Sequence, residues 1–229
     1  MRTMLSVIEK KFEKPFAIRH WLLVSSMFSM LLLLIRILMT GYITYAFLAW
    51  NLFLAFVPYY ISGWVADHMG MKSKWKLLPA IGCWLLFMPN TFYIITDLFH
   101  LDDMADGHQW FDLTLILSFA WNGILFGMLS IRKMEMILGK AKGKAVSVFV
   151  ICFVMWLNAF GIYIGRYLRF NSWDVIANPF SLFGELFSIV FNPYEHRRVW
   201  AMTGCFSFFM LILYYTMKRS GEIFHNQKN

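Results

Sequence analysis

The sequence predicts an all-α integral membrane protein: six transmembrane helices with both termini cytoplasmic, and an extracytoplasmic interfacial helix between helices five and six. Three observations predict it. Of the 229 residues, 59% are hydrophobic and 15% charged, whereas a soluble domain carries about a quarter charged residues. Six runs, at 20–40, 42–64, 77–99, 112–131, 145–164 and 198–217, reach the length of about 20 apolar residues that a bilayer demands. Finally, 16 of the 21 Lys and Arg fall on one side of those runs, which the positive-inside rule assigns to the cytoplasm. Together these features exclude a soluble enzyme, a secreted disulfide scaffold and a disordered chain. They place residues 1–229 in one transmembrane domain of a cytoplasmic membrane.

Residues 1–19 have Met4, Leu5, Ile8 and Phe12 at helical spacing with Lys10, Lys11 and Lys14 on the remaining surface. This is the pattern of a cytoplasmic amphipathic helix on anionic lipid, or of a basic flank that only orients the chain. The bundle then runs over 20–217, with a cytoplasmic tail at 218–229. The first run is too long for a signal peptide and has bulky residues and Arg36 where a cleavage site would stand. The third is interrupted by Pro89-Asn90, which predicts a kink because proline removes a helix hydrogen bond. Runs four and five carry small-residue spacings, Gly123 to Gly127 and Gly161 to Gly165, that let helices approach closely. In the connection 165–197, Asn178-Pro179 reads as a helix start and Asn192-Pro193 as its end. Leu182, Phe183, Leu186, Phe187 and Val190 share one face of the helix between them, which is too short to span and so predicts an interfacial position. Cys83, Cys152 and Cys205 all fall within apolar runs, with no metal or disulfide spacing.

Sixteen basic residues are accounted for by topology, so the net charge of +8 is no argument for nucleic acid. The remaining polar groups collect toward the other side. Asn51, Asn90, Asn122 and Asn158 lie at similar depth on four helices. Asp97 and His100 stand at i and i+3, Asp112 opens helix four, and Arg166 and Arg169 stand at i and i+3 where helix five ends. Asp174, His196 and Arg197 follow. Intramembrane ionisable residues are functional candidates because burying them is costly. Two site chemistries fit these residue types. Asp97, His100, Asp112 and His196 supply carboxylate and imidazole ligands for a divalent metal, although their spacing matches no metal motif. Arg166, Arg169 and Arg197 supply guanidinium forks for a phosphate-bearing or anionic lipid headgroup. Structural ion pairing is the alternative for each. Asp97, His100 and Asp112 are then the catalytic candidates, and Asn90, Tyr93, Arg166, Arg169, Asn171, Asp174 and Arg197 the ligand-binding ones. A non-enzymatic partner of another membrane protein and a transporter are the competing classes.

The stretches FMPNTFYIITDLFHL at 87–101 and GIYIGRYLRFNSWD at 161–174, with WNLFLAFVPY at 50–59 and SFAWNG at 118–123, carry a resemblance. The chain resembles an uncharacterised family of bacterial multi-pass membrane proteins, a domain of unknown function. The resemblance implies a multi-helix membrane fold. It also implies a shared core containing Pro89, Asn90, Tyr93, Asp97, His100, Arg166, Arg169, Asn171, Trp173 and Asp174. It implies no activity.

Overall fold

The computed structural model describes residues 16–68, 75, 77–103 and 108–226. The proposed N-terminal amphipathic helix therefore lies almost wholly outside the described residues. In chain order the elements are α1 (Phe16–Thr40), α2 (Ala46–His68), α3 (Leu77–Phe87), α4 (Pro89–Tyr93), a 3-10 helix (Ile94–Asp103) and α5 (Gln109–Lys142). There follow α6 (Lys144–Tyr167), α7 (Asp174–Ala177), α8 (Pro179–Phe191) and α9 (Arg197–Asn226). Six spans are long and apolar enough to cross a membrane, with α3, α4 and most of the 3-10 helix forming the third. Many large apolar side chains point outward, Trp21, Met27 and Phe149 among them. That is the surface expected where the solvent is lipid.

Helix α5 is the hub: it packs on α1, α2, α4, α6 and the 3-10 helix, while α9 packs on α6. One relay ties three helices together. The Trp84 indole donates to the Ser130 hydroxyl at 2.7 Å, and that hydroxyl donates to the Pro58 carbonyl at 2.9 Å. Helix α5 runs to Lys142 and α9 to Asn226, well beyond the ends expected at 131 and 217. Hydropathy marks where lipid ends, but helix hydrogen bonding continues as long as the residues favour it. Lys, Met, Glu, Ile and Leu after Arg132 all do. Gly143 then reverses the chain alone, at φ 89°, between α5 and α6.

The third span breaks at the expected place but continues in an unexpected form. After α3 ends at Phe87, Met88 keeps helical dihedrals (φ −55°, ψ −40°), one short helix follows at Pro89, and the chain winds into ten residues of 3-10 helix. The break seats in the two glycine pairs. A Cβ on Gly123 or Gly127 would fall 2.6 Å from the Thr91 carbonyl or 2.5 Å from its hydroxyl. A Cβ on Gly161 would fall 2.5 Å from the Pro89 ring, and on Gly165 3.1 Å from Tyr93. Both small-residue stripes therefore grip the same segment, from α5 on one side and α6 on the other.

Helix α8 forms between Asn178 and Asn192 as the sequence reading placed it, though the Asn178 side chain makes no capping bond. Its apolar residues divide into two lines. Leu182 and Ile189 are buried and Leu186 half-buried, whereas Phe180, Phe183, Phe187 and Phe191 are exposed.

Alanine at Gly161 must displace a rigid proline ring, so Gly161→Ala is expected to cost about 1–3 kcal/mol of stability. Gly204 has nothing within 4 Å, and Gly204→Ala should be neutral or stabilising by up to about 1 kcal/mol. Thermal unfolding of the two variants in one detergent checks this; equal melting temperatures would refute the clamp.

Candidate functional site

The 3-10 winding matters for the site because residues three apart eclipse one another on such a helix. It brings Asp97 and His100 onto one edge, and both line a cavity of about 550 Å³. Helix α2 supplies Phe47, Trp50 and Asn51 to this cavity, and the broken span supplies Asn90 and Tyr93. Helix α6 and the chain after it supply Arg166, Asn171 and Ser172, while Leu182 and Leu186 of α8 close one wall. The polar groups thus gather within mainly aliphatic and aromatic walls.

Asp97 is 1% exposed in its side chain. Its Oδ2 accepts from the Asn51 amide at 2.9 Å, and its Oδ1 from Arg166 Nη1 at a long 3.4 Å. The same Nη1 lies 3.2 Å from His100 Nε2. A guanidinium can only donate, so Nε2 is the acceptor in this contact. The His100 ring meets Phe47 edge-on at 5.3 Å. Arg166 stands over Phe99 and Tyr93 at 5.4 and 6.0 Å from the ring centres. Among the described residues only Nη1 of Arg166 is engaged in hydrogen bonding. Its Nε and Nη2 make no hydrogen bond among the described residues.

Asn90 donates to the Phe87 carbonyl and to the Ser172 hydroxyl, both at 3.0 Å. Ser172 in turn donates to the Leu86 carbonyl at 3.2 Å. These bonds satisfy carbonyls near the helix break and tie the chain after α6 across the cavity. The turn into that chain is made at Arg169, which adopts φ 60° although it is not glycine. Asp174 holds the same turn by accepting from the Asn171 backbone amide at 2.5 Å.

The structure brings Asn90, Tyr93, Asp97, His100, Arg166 and Asn171 together on the cavity. It does not bring in the others. Asp112 is buried in a bidentate pair with Arg36, Nε to Oδ1 at 2.5 Å and Nη2 to Oδ2 at 2.8 Å, which joins α1 to α5. His196 lies 3.3 Å from the Ser188 hydroxyl, and Arg169 and Arg197 are exposed. The three arginines are therefore not one clamp. Among the described residues no group of three His, Cys, Asp or Glu is placed to hold a metal ion. The expected set of Asp97, His100, Asp112 and His196 is not assembled, since Asp112 is turned to Arg36 and His196 to α8. Of the four asparagines, Asn51 and Asn90 line the cavity, Asn122 bonds Ser29 on α1 at 3.0 Å, and Asn158 is buried. Asn51 and Ser172 are the site residues that the sequence reading did not select. Asn51 carried a signal, being a lone amide in an apolar run, but only its partner Asp97 distinguishes it from structural glue.

Asp112→Ala leaves the Arg36 guanidinium buried opposite an alanine and is expected to destabilise by about 3–5 kcal/mol. Replacing both partners with leucine should recover most of that loss. Unfolding midpoints in denaturant, measured in detergent, test the pair; a mild single-variant effect would contradict a scaffold role.

Residues 50–213 match a family described as protein of unknown function (DUF1361). No curated protein and no solved structure matches the chain.

Proposed function

The chain belongs to the protein family of unknown function DUF1361, and from its cavity we propose a membrane protein that binds an amphiphilic ligand with an anionic, phosphate-bearing headgroup. The observation that carries this reading is Arg166. It is a guanidinium with 14% side-chain exposure, held loosely by Asp97 and with donors to spare, among the polar groups of a cavity whose remaining walls are apolar. A volume of about 550 Å³ falls within the range of small-molecule sites. The long 3.4 Å contact to Asp97 leaves room for a headgroup to replace that interaction. Arginine suits phosphate because its planar fork can donate two parallel bonds. The aromatic and aliphatic walls suit the apolar part of the ligand.

In the orientation that the basic residues favour, the cavity faces the extracytoplasmic leaflet and α8 lies at that interface. Asp97 and His100 then stand beside the headgroup, within reach of a proton exchange with it. An acid–base reaction on a lipid-like substrate is the enzymatic form of this proposal. A second reading is a non-enzymatic partner of another membrane protein. The outward row of Phe180, Phe183, Phe187 and Phe191 on α8 favours it.

Lipid mass spectrometry on protein purified in mild detergent tests the first reading. We expect one phosphate-bearing lipid per chain whose occupancy falls about tenfold in Arg166→Ala, the loss that 1.4 kcal/mol of headgroup interaction produces, over and above any lipid that this variant still carries. Arg197→Ala, outside the cavity, should retain it. Equal retention in both variants would remove the proposal. If Phe183→Ser and Phe187→Ser instead strip a stoichiometric protein partner while Arg166→Ala does not, the second reading stands.

A further inference from the structure

The other end of the bundle carries a charged cluster that plays no part in the cavity. Glu135 on α5 is 7% exposed. Its carboxylate accepts from Arg132 at 2.5 Å, from the Tyr214 hydroxyl at 2.6 Å and from the Lys218 ammonium at 2.6 Å. Two cations against one carboxylate leave a net positive charge. Glu222, the other carboxylate here, lines the same groove as Arg132 and Lys218, and its charge is met by Arg219 at 3.2 Å. Arginine has five N–H donors and lysine three, so one carboxylate does not exhaust them. Arg132 remains 39% exposed in its side chain.

Arg132, Tyr214 and Lys218 of this cluster line a groove of about 690 Å³. Three helices line it: Ile18 comes from α1, Met128 and Arg132 from α5, and Met217, Lys218 and Glu222 from α9. Ile18, Met128, Leu129 and Met217 give that space apolar walls. Gly221 adds no side chain to it. A fissure between membrane-spanning helices suits an acyl chain in a bilayer, and fixed cations on its wall suit an anionic headgroup.

We propose that this groove is a second site, independent of the cavity, that holds one anionic phospholipid with its phosphate on Arg132 and Lys218. Glu135 and Tyr214 act as positioning residues: they hold the two cations at one depth and side of α5. The charge balance favours an anionic over a zwitterionic headgroup, and the apolar walls favour a lipid over free phosphate.

The test is native mass spectrometry of the full chain carrying Arg166→Ala, so that the cavity's cation does not contribute. The protein is offered equal amounts of phosphatidylglycerol and phosphatidylcholine with identical acyl chains. Phosphatidylglycerol adducts should exceed phosphatidylcholine adducts by about tenfold, in line with what one or two cations near a phosphate supply. The triple variant Arg132→Gln, Glu135→Gln, Lys218→Gln removes the charges together and leaves none buried alone; it should bring the two lipids to parity. Gly221→Trp fills the groove with every charge kept and should lower binding of both. Equal adducts on the parent protein, a preference surviving the triple variant, or undiminished binding to Gly221→Trp would each overturn the site. Displacement of phosphatidylglycerol by millimolar inorganic phosphate would overturn the lipid as its occupant.

Discussion

The seating of one broken helix against two glycine stripes is the constraint on which the rest of this structure depends. Pro89 removes a backbone hydrogen bond in the third span, and a break within a bilayer is tolerable only where neighbouring groups replace what is lost. Here Asn90 and Ser172 take up the Phe87 and Leu86 carbonyls. The absence of side chains at Gly123, Gly127, Gly161 and Gly165 lets α5 and α6 close on the turn from both sides. Held there, the chain rewinds as a 3-10 helix and aligns Asp97 with His100. Without the clamp there is no reason for those two groups to share an edge, or for Arg166 on α6 to reach both.

The buried charges divide according to how fully they satisfy each other. Arg36 and Asp112 form a short, two-bonded pair with 3% side-chain exposure on each partner. Desolvating two ions costs several kcal/mol each, so such a pair persists only with near-ideal geometry, and it leaves little for a ligand. Arg166 and Asp97 make one long contact, and the arginine retains free donors. The same chemistry therefore makes a joint between α1 and α5 in one place and leaves donors unengaged in another. The Glu135 cluster is intermediate: its carboxylate is saturated, but its cations are not.

The periodicity and composition of the chain made its helices, their order, the kink at Pro89 and α8 readable, because each depends on residues near one another in sequence. Asp97, His100 and Arg166 were readable as candidates because ionisable residues in apolar runs have few structural uses. Asp112 and Arg36 carry the same signal and turn out to be each other's partner. Residues 76 apart in sequence pair only once α1 lies against α5. Glu135 was overlooked because hydropathy ends a span where the apolar run ends, whereas α5 continues as helix past Lys133 into a buried contact with α9.

By itself the sequence determined that this chain forms six apolar helices and which few polar groups they would carry inward. Bilayer thickness and the cost of unpaired backbone leave no other solution for such a composition. Only the tertiary structure decided which of those groups meet. Pairing depends on interhelical distances of a few ångströms, set by where glycine permits contact and where a 3-10 turn replaces an α-turn. Those packing choices separate Arg166, with donors left for a ligand, from Arg36, whose charge is already answered by Asp112.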